Sequence, residues 1–176
     1  KAEYEIFLQP FVKHTSFDAY DFPLFHSILN VFEHNTSMKS LLSVAENGQC
    51  LASDRAITFT VTHDIPNNDI FRNQLMSPQH EQLAYCYLLG ACDGSPLIYT
   101  DLNTSNDYDS LGHPRWMRSW YDNNLVKMIH FYKHVHGEPI HVLACGNELL
   151  VLLRGSIEAP KGIIAINKSN EEFQVN

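Results

Sequence analysis

At 176 residues, the chain is sized for one full domain, or one domain with a small appendage, at roughly 150 residues per domain. Twelve Lys and Arg against twenty Asp and Glu leave a net charge of −8. That balance argues against a nucleic-acid partner, which needs a basic face to displace counterions, and against attraction to anionic membranes.

No run approaches the roughly 18 apolar residues of a membrane span. The opening Lys1-Ala2-Glu3-Tyr4-Glu5 is charged where a secretion signal turns apolar. A start at Lys1 rather than Met reads as a processed or truncated product, with any targeting signal out of view. Cys50, Cys86, Cys92 and Cys145 form no C-x-x-C pair and read as four free structural thiols. They do not tell the compartment.

Residues 1–18 read as a loop or short helix, and Ala19–Pro23 as a short extended piece. Pro23 suits a helix start, where its missing N–H costs nothing. Leu24, Ile28, Leu29, Val31 and Phe32 then form a helical stripe, and a second helix is expected over Met38–Val44. In Ala56–His63, Ile57, Phe59 and Val61 alternate with threonines, the period of a strand. Ser77-Pro78 signals a helix start, and Leu83, Ala84, Tyr87, Leu88 and Ala91 its buried face, with Asp93-Gly94 as the stop. Pro96–Tyr99 reads as a short strand.

A polar loop of about twenty residues follows, Asn103–Asp122. Uncovered loops this long are functional or disordered, and Trp116, Trp120 and Tyr121 argue against disorder. Leu125, Met128, Ile129, Tyr132 and Val135 mark another helix, stopped by Gly137 and Pro139. Strand-like runs at His141–Ala144, Leu149–Leu153 and Gly162–Ile166, punctuated by Gly146-Asn147 and Gly155, read as hairpins.

Three strand–helix units followed by strands alone predict an α/β fold with parallel pairing. Functional residues in such folds gather at the carboxyl ends of strands, which singles out His63-Asp64 and Asp101. A carboxylate there can stabilise positive charge, act as a base or hold a metal; it can equally cap a turn. Arg72 either reaches substrate or pairs at the surface, and Asp69 caps its loop or joins the site. The loop aromatics either stack on a ligand or pin the loop. His130 and His134, four apart on one helix, have no evident third ligand for zinc. The run from Asn103 to Asp109 lacks the glycine and glutamate of a calcium loop. No metal site is predicted, and Asn35, Asn103 and Asn167 head glycosylation sequons.

Phe59-Thr60-Val61-Thr62-His63-Asp64 resembles the FxxNHD segment that closes the seventh barrel strand of glycoside hydrolase family 13, the α-amylase family, with Thr62 in place of Asn. Asp21-Phe22-Pro23-Leu24 is similar to that family's DFPL stretch at the sixth strand. Leu83–Leu89 with Gly94–Tyr99 is similar to its seventh helix and eighth strand, and the closing β-rich part to the start of its C-terminal domain. The four segments occur in the family's order. The resemblance implies a partial (β/α)8 TIM barrel, its last three β/α units, over residues 1–138. A small antiparallel segment, the start of a β-sandwich-like domain, would occupy 139–176.

By the same resemblance Asp64 is the carboxylate that steadies the oxocarbenium-like transition state, and His63 binds the sugar. Arg72, Asp101 and Trp116 are the further substrate-binding candidates. Retaining glycosidases need a nucleophile and an acid/base about 5–5.5 Å apart. The family carries them after its fourth and fifth strands, so both are expected upstream of Lys1, and neither Glu3 nor Glu5 is assigned as the acid. The expected partner is an α-glucan. No cofactor is expected in this stretch, calcium being a matter for the longer parent, for which secretion is the expectation. Three readings compete: a hydrolase fragment inactive alone, a non-catalytic α-glucan-binding module, and a structural α/β module. A partial barrel also leaves exposed sheet edges, which predicts self-association.

Overall fold

The computed structural model describes residues 4–174. Lys1–Glu3, part of the charged opening segment and including the unassigned Glu3, lie outside them. Helix α1 (Gln9–His14) follows a π-helical turn at Tyr4–Leu8. Three short strands, β1 (Ala19–Tyr20), β2 (Ala56–Thr58) and β3 (Ser95–Pro96), pair in parallel in the order β1-β2-β3. Tyr20 lies opposite Ile57, and Ile57 opposite Ser95. Each strand is followed by a long helix: α2 (Phe22–Phe32) after β1, α4 (Pro78–Ala91) after β2 and α5 (Asn123–Val135) after β3. A one-turn helix, α3 (Asp64–Asn67), lies between β2 and α4.

Side-chain caps fix the three helix starts. Asp21 accepts from Leu24 N at 3.0 Å, Ser77 from His80 N at 3.4 Å, and Asp122 from Asn124 N at 2.8 Å and Leu125 N at 3.0 Å. A cap of this kind contributes about 1 kcal/mol by occupying amides the first turn cannot pair. Asp21 does a second job, accepting from Leu51 N at 2.9 Å and so tying the approach to β2 onto the end of β1.

Three expected elements differ, and the first is the strand expected over Pro96–Tyr99, of which β3 keeps only Pro96. The strand over Ala56–His63 keeps only Ala56–Thr58 in the ladder. Its partner β3 ends at Pro96, which has no N–H to give, and Leu97 N adds one last bond to Thr58 O at 2.7 Å. Beyond that the chain runs on outside the sheet, with Phe59, Thr60, Val61 and Thr62 all buried. The helix over Met38–Val44 is a 3₁₀ segment, Met38–Ser43. Gly94 before β3 has a steric reason: a Cβ there would sit 2.6 Å from Thr58 Cγ2 and 3.0 Å from Ala56 O. Only glycine lets β3 approach β2 so closely.

The C-terminal part is an antiparallel sheet of β4 (Ile140–Cys145), β5 (Leu149–Gly155) and β6 (Pro160–Asn167), in that order. Gly155, at φ +94°, carries the bulge beside the β5–β6 turn. Leu150, Leu152, Ile164 and Ile166 turn into the same core as α2, α4 and Phe59. Arg154 is 0% exposed, and its Nη2 donates to Asp93 Oδ1 at 2.5 Å and to Val135 O at 2.7 Å. It pins the sheet to the ends of α4 and α5. The architecture is the expected one, part of a (β/α)8 wall followed by a small antiparallel sheet. Among the described residues no helix is long and apolar enough to cross a membrane.

Glu33, just after α2, fastens that helix to the start of α4 by accepting from Ser77 N at 2.8 Å and contacting His80 Nδ1 at 2.9 Å. Burial pushes its carboxyl up, but the Ser77 amide and His80 outweigh burial and hold it below the ordinary range. A depressed folded-state value means this support is present above the unfolded value, about 4.3, and fades as pH falls through the folded one. Glu33→Gln is expected to cost about 1 kcal/mol at pH 7 in urea unfolding. The gap from wild type should close as the medium is acidified below pH ~4; a gap constant with pH would contradict the ionised contact.

Candidate active site

The chain leaving β2 turns sharply at Thr62, whose carbonyl accepts from Ile65 N at 3.3 Å. Ile65 and Pro66 then anchor α3 in the core. That anchor leaves the preceding pair outside: the His63 and Asp64 side chains are 71% and 57% exposed, with His63 Nε2 3.4 Å from Asp64 Oδ1. Both stand beyond the carboxyl end of the middle parallel strand, open to a ligand and joined to each other.

Asn67, at the end of α3, ties this turn to the end of β3. Its Nδ2 donates to His63 O at 2.7 Å and to the Tyr99 hydroxyl at 3.4 Å. The Tyr99 hydroxyl donates to Asp101 Oδ2 at 3.2 Å, and Ser105 Oγ donates to the same oxygen at 2.7 Å. Asn103 N fills Asp101 Oδ1 at 2.7 Å. Burial, with the Asp101 carboxylate beside it, holds the Tyr99 hydroxyl above its ordinary range, so it remains a donor. Asp101 is thus brought to the same side as His63 and Asp64, as a half-buried carboxylate occupied by its own loop. Arg72 is exposed, and its Nη1 donates to Pro66 O, folding the loop after α3 back on itself. Asp69 is exposed on that loop.

Of the two roles left open for Trp116, stacking on a ligand or pinning the loop, its surroundings fit the second. The residue is 3% exposed. Its indole Nε1 donates to Glu81 Oε1 at 3.0 Å, its ring meets Tyr99 edge-on at 5.5 Å between centroids, and the Arg115 guanidinium covers it at 4.5 Å. Arg115 in turn contacts Glu81 Oε2 at 2.5 Å, Met76 O at 2.8 Å and Asp107 at 3.2 Å. Burial pushes the Glu81 carboxyl up, against the opposing pull of Arg115 and the indole N–H. This cluster clamps the long loop after β3 onto the first turn of α4. The loop's exposed aromatics are Tyr108, Trp120 and Tyr121.

The sequence reading passed over Asn67, Tyr99, Glu81 and Arg115. Glu81 sits in a helix first turn, where acids are usual for dipole reasons alone, so nothing in the pattern announced a buried partner. His130 and His134 stand exposed on α5. Among the described residues no three His, Cys, Asp or Glu side chains gather as a metal site. The four cysteines are free, and burial raises all four thiols, Cys50 to about 11.

No family model matches the chain. A curated "Alpha-amylase" of Aeromonas hydrophila is 39% identical over 170 residues, which cover 97% of this chain and 35% of that protein. The chain resembles the α-amylases, glycoside hydrolase family 13. It spans about a third of the length of that relative, 35%. The solved α-amylase of Geobacillus thermoleovorans, complexed with acarbose, shares the fold at TM-score 0.62 and 19% identity, over 94% of this chain and 40% of that one. A cyclomaltodextrinase matches at TM-score 0.55 and 15% identity, over 83% of this chain and 27% of its own. At such identities these two structures speak for the fold, and the Aeromonas relative for the sequence.

In this α-amylase-like chain the loop clamp is the most heavily desolvated ionic feature near the site. Removing one partner leaves a buried charge uncompensated, which costs about 3–5 kcal/mol. Arg115→Ala is expected to lose stability on that scale in urea unfolding and to red-shift the emission of the freed Trp116. A loss below ~1 kcal/mol would place the pair among ordinary surface contacts.

Proposed function

We propose that the chain is part of an α-amylase-like retaining glycoside hydrolase acting on α-1,4-glucans, and that it supplies the carboxylate that stabilises the transition state. The observation that carries this reading is the exposed His63–Asp64 pair at the carboxyl end of the middle parallel strand. The resemblance along nearly the whole chain supports it.

An oxocarbenium-like transition state is flattened and positively charged, and contacts to sugar hydroxyls strengthen as it forms. Asp64 is free to accept hydroxyl hydrogen bonds and to face that charge. His63 shares the edge and is positioned to bind the same sugar. Asn67 donates to the His63 carbonyl and to the Tyr99 hydroxyl, which ties the turn carrying the pair to the end of β3. Arg72 and Asp101 flank the pair as substrate-binding residues, and Trp116 acts from beneath by packing on Tyr99.

The two carboxyl groups that attack and protonate the glycosidic bond are assigned to the part of the parent preceding this chain. By itself the chain is expected to cleave nothing. Residues 1–138 correspond on this reading to barrel and 139–176 to the start of the next domain. Calcium is assigned, on this reading, to the longer parent.

The test is Asp64→Asn in the full-length parent. Removing one preorganised charge of this kind costs about 10²–10³ in kcat, while binding of maltooligosaccharide is expected to persist. Turnover within twofold of wild type would remove Asp64 from the chemistry.

A further inference from the structure

A concavity lies away from the His63–Asp64 edge, between the first turns of α4 and α5 and beneath the loop after β3. Its volume is about 490 Å³, within the range of small-molecule sites. His63, Asp64, Arg72 and Asp101 do not line it. Trp116 does, as part of a floor with Tyr85, Met128 and the Glu81–Arg115 pair.

The walls tell what chemistry suits it. Tyr121 is 84% exposed, a flat aromatic face left in water at the mouth. Arg118 lines the cavity and is exposed, with no ion pair or hydrogen bond from its guanidinium among the described residues. Gln82, Asp109 and Asp122 add polar groups. Asp109 is held in place by the amides of Leu111 and His113 at 2.8 and 2.9 Å, and Asp122 by its capping bonds to α5.

An anionic ligand fits poorly. Arg115 is already neutralised by Glu81 and Asp107, so one uncommitted arginine faces two carboxylates. An apolar ligand would strand those same polar groups without partners. A neutral, polyhydroxylated ring satisfies both demands: its C–H face lies on Tyr121, and its hydroxyls take donors from Arg118 and Gln82 and give to the carboxylates.

We propose that this cavity is an accessory carbohydrate site that holds neutral sugar rings of the glucan, separate from the reacting edge. The assignment to sugars stands on the cavity; the choice of α-glucan rests on the proposed function. The Thr100 hydroxyl donates to Trp116 O at 2.6 Å, and Asp101 N to the same oxygen at 3.3 Å. Through Trp116 the accessory site and the reacting edge share one support.

Affinity electrophoresis of the full chain through glycogen tests it. Wild type is expected to be retarded. Tyr121→Ala and Arg118→Ala should each weaken retardation about five- to tenfold, the scale of one aromatic or charged contact. Tyr121→Trp should restore it. Both side chains are solvent-exposed, so the folded fraction is expected to hold, with circular dichroism as the check. Equal retardation of wild type and the two alanine variants would overturn the accessory site and leave the proposed function standing. A wild-type chain that glycogen does not retard would overturn it as well, whereas the proposed function is judged by Asp64→Asn turnover in the parent.

Discussion

The parallel pairing of Tyr20 with Ile57, and of Ile57 with Ser95, sets the direction in which everything after each strand must emerge. Parallel strands cannot be joined by tight turns; each needs a crossover, and here each crossover carries a helix. The helix returns the chain to the opposite edge, so the carboxyl ends of all three strands face the same way. Asp21, Asp64 and Asp101 follow those three ends. Their fates then diverge through local packing. Asp21 turns inward, capping α2 and holding Leu51 N. Asp101 is half taken up by its own loop. Asp64 alone of the three stands open, because Ile65 and Pro66 take the buried positions beside it.

Holding that edge still is the work of groups farther out. The long loop after β3 has little regular structure beyond a bridge between Tyr108 and Pro114 and a 3₁₀ turn. Its order comes from the Glu81–Arg115–Trp116 cluster, where charge is matched under burial and the indole N–H is satisfied. The same tryptophan packs on Tyr99, and Tyr99 reaches Asn67 and Asp101. A continuous set of contacts therefore runs from the first turn of α4 to the turn that carries His63 and Asp64. On the far side, Arg154 fastens the antiparallel sheet to the ends of α4 and α5.

Much of this frame could be read from residue order. The helical stripe after Pro23, the Ser77-Pro78 start and the three C-terminal hairpin runs all signal themselves through periodicity and turn chemistry, and each formed. The alternation in Ala56–His63 overstated β2, because pattern does not reveal that the neighbouring strand ends in a proline. The exposed His63–Asp64 pair was legible from its place after a strand and from the resemblance. Trp116 shows the opposite limit. An aromatic in a polar loop looks available to a ligand, but its burial depends on Glu81 and Arg115, which are 35 residues and one residue away. Long-range ion pairs leave no periodic trace, so neither the clamp nor the cavity above it could be anticipated.

The most direct measurement is a maltooligosaccharide titration of the full chain followed by amide chemical shifts in ¹H–¹⁵N NMR. If an acidic side chain at this sheet edge exists to meet a glucan, the amides of His63, Asp64, Asn67 and Asp101 must shift together and saturate at one ligand concentration. A titration in which those four stay silent, up to ligand levels that move other residues, would contradict the assignment of this edge to sugar chemistry.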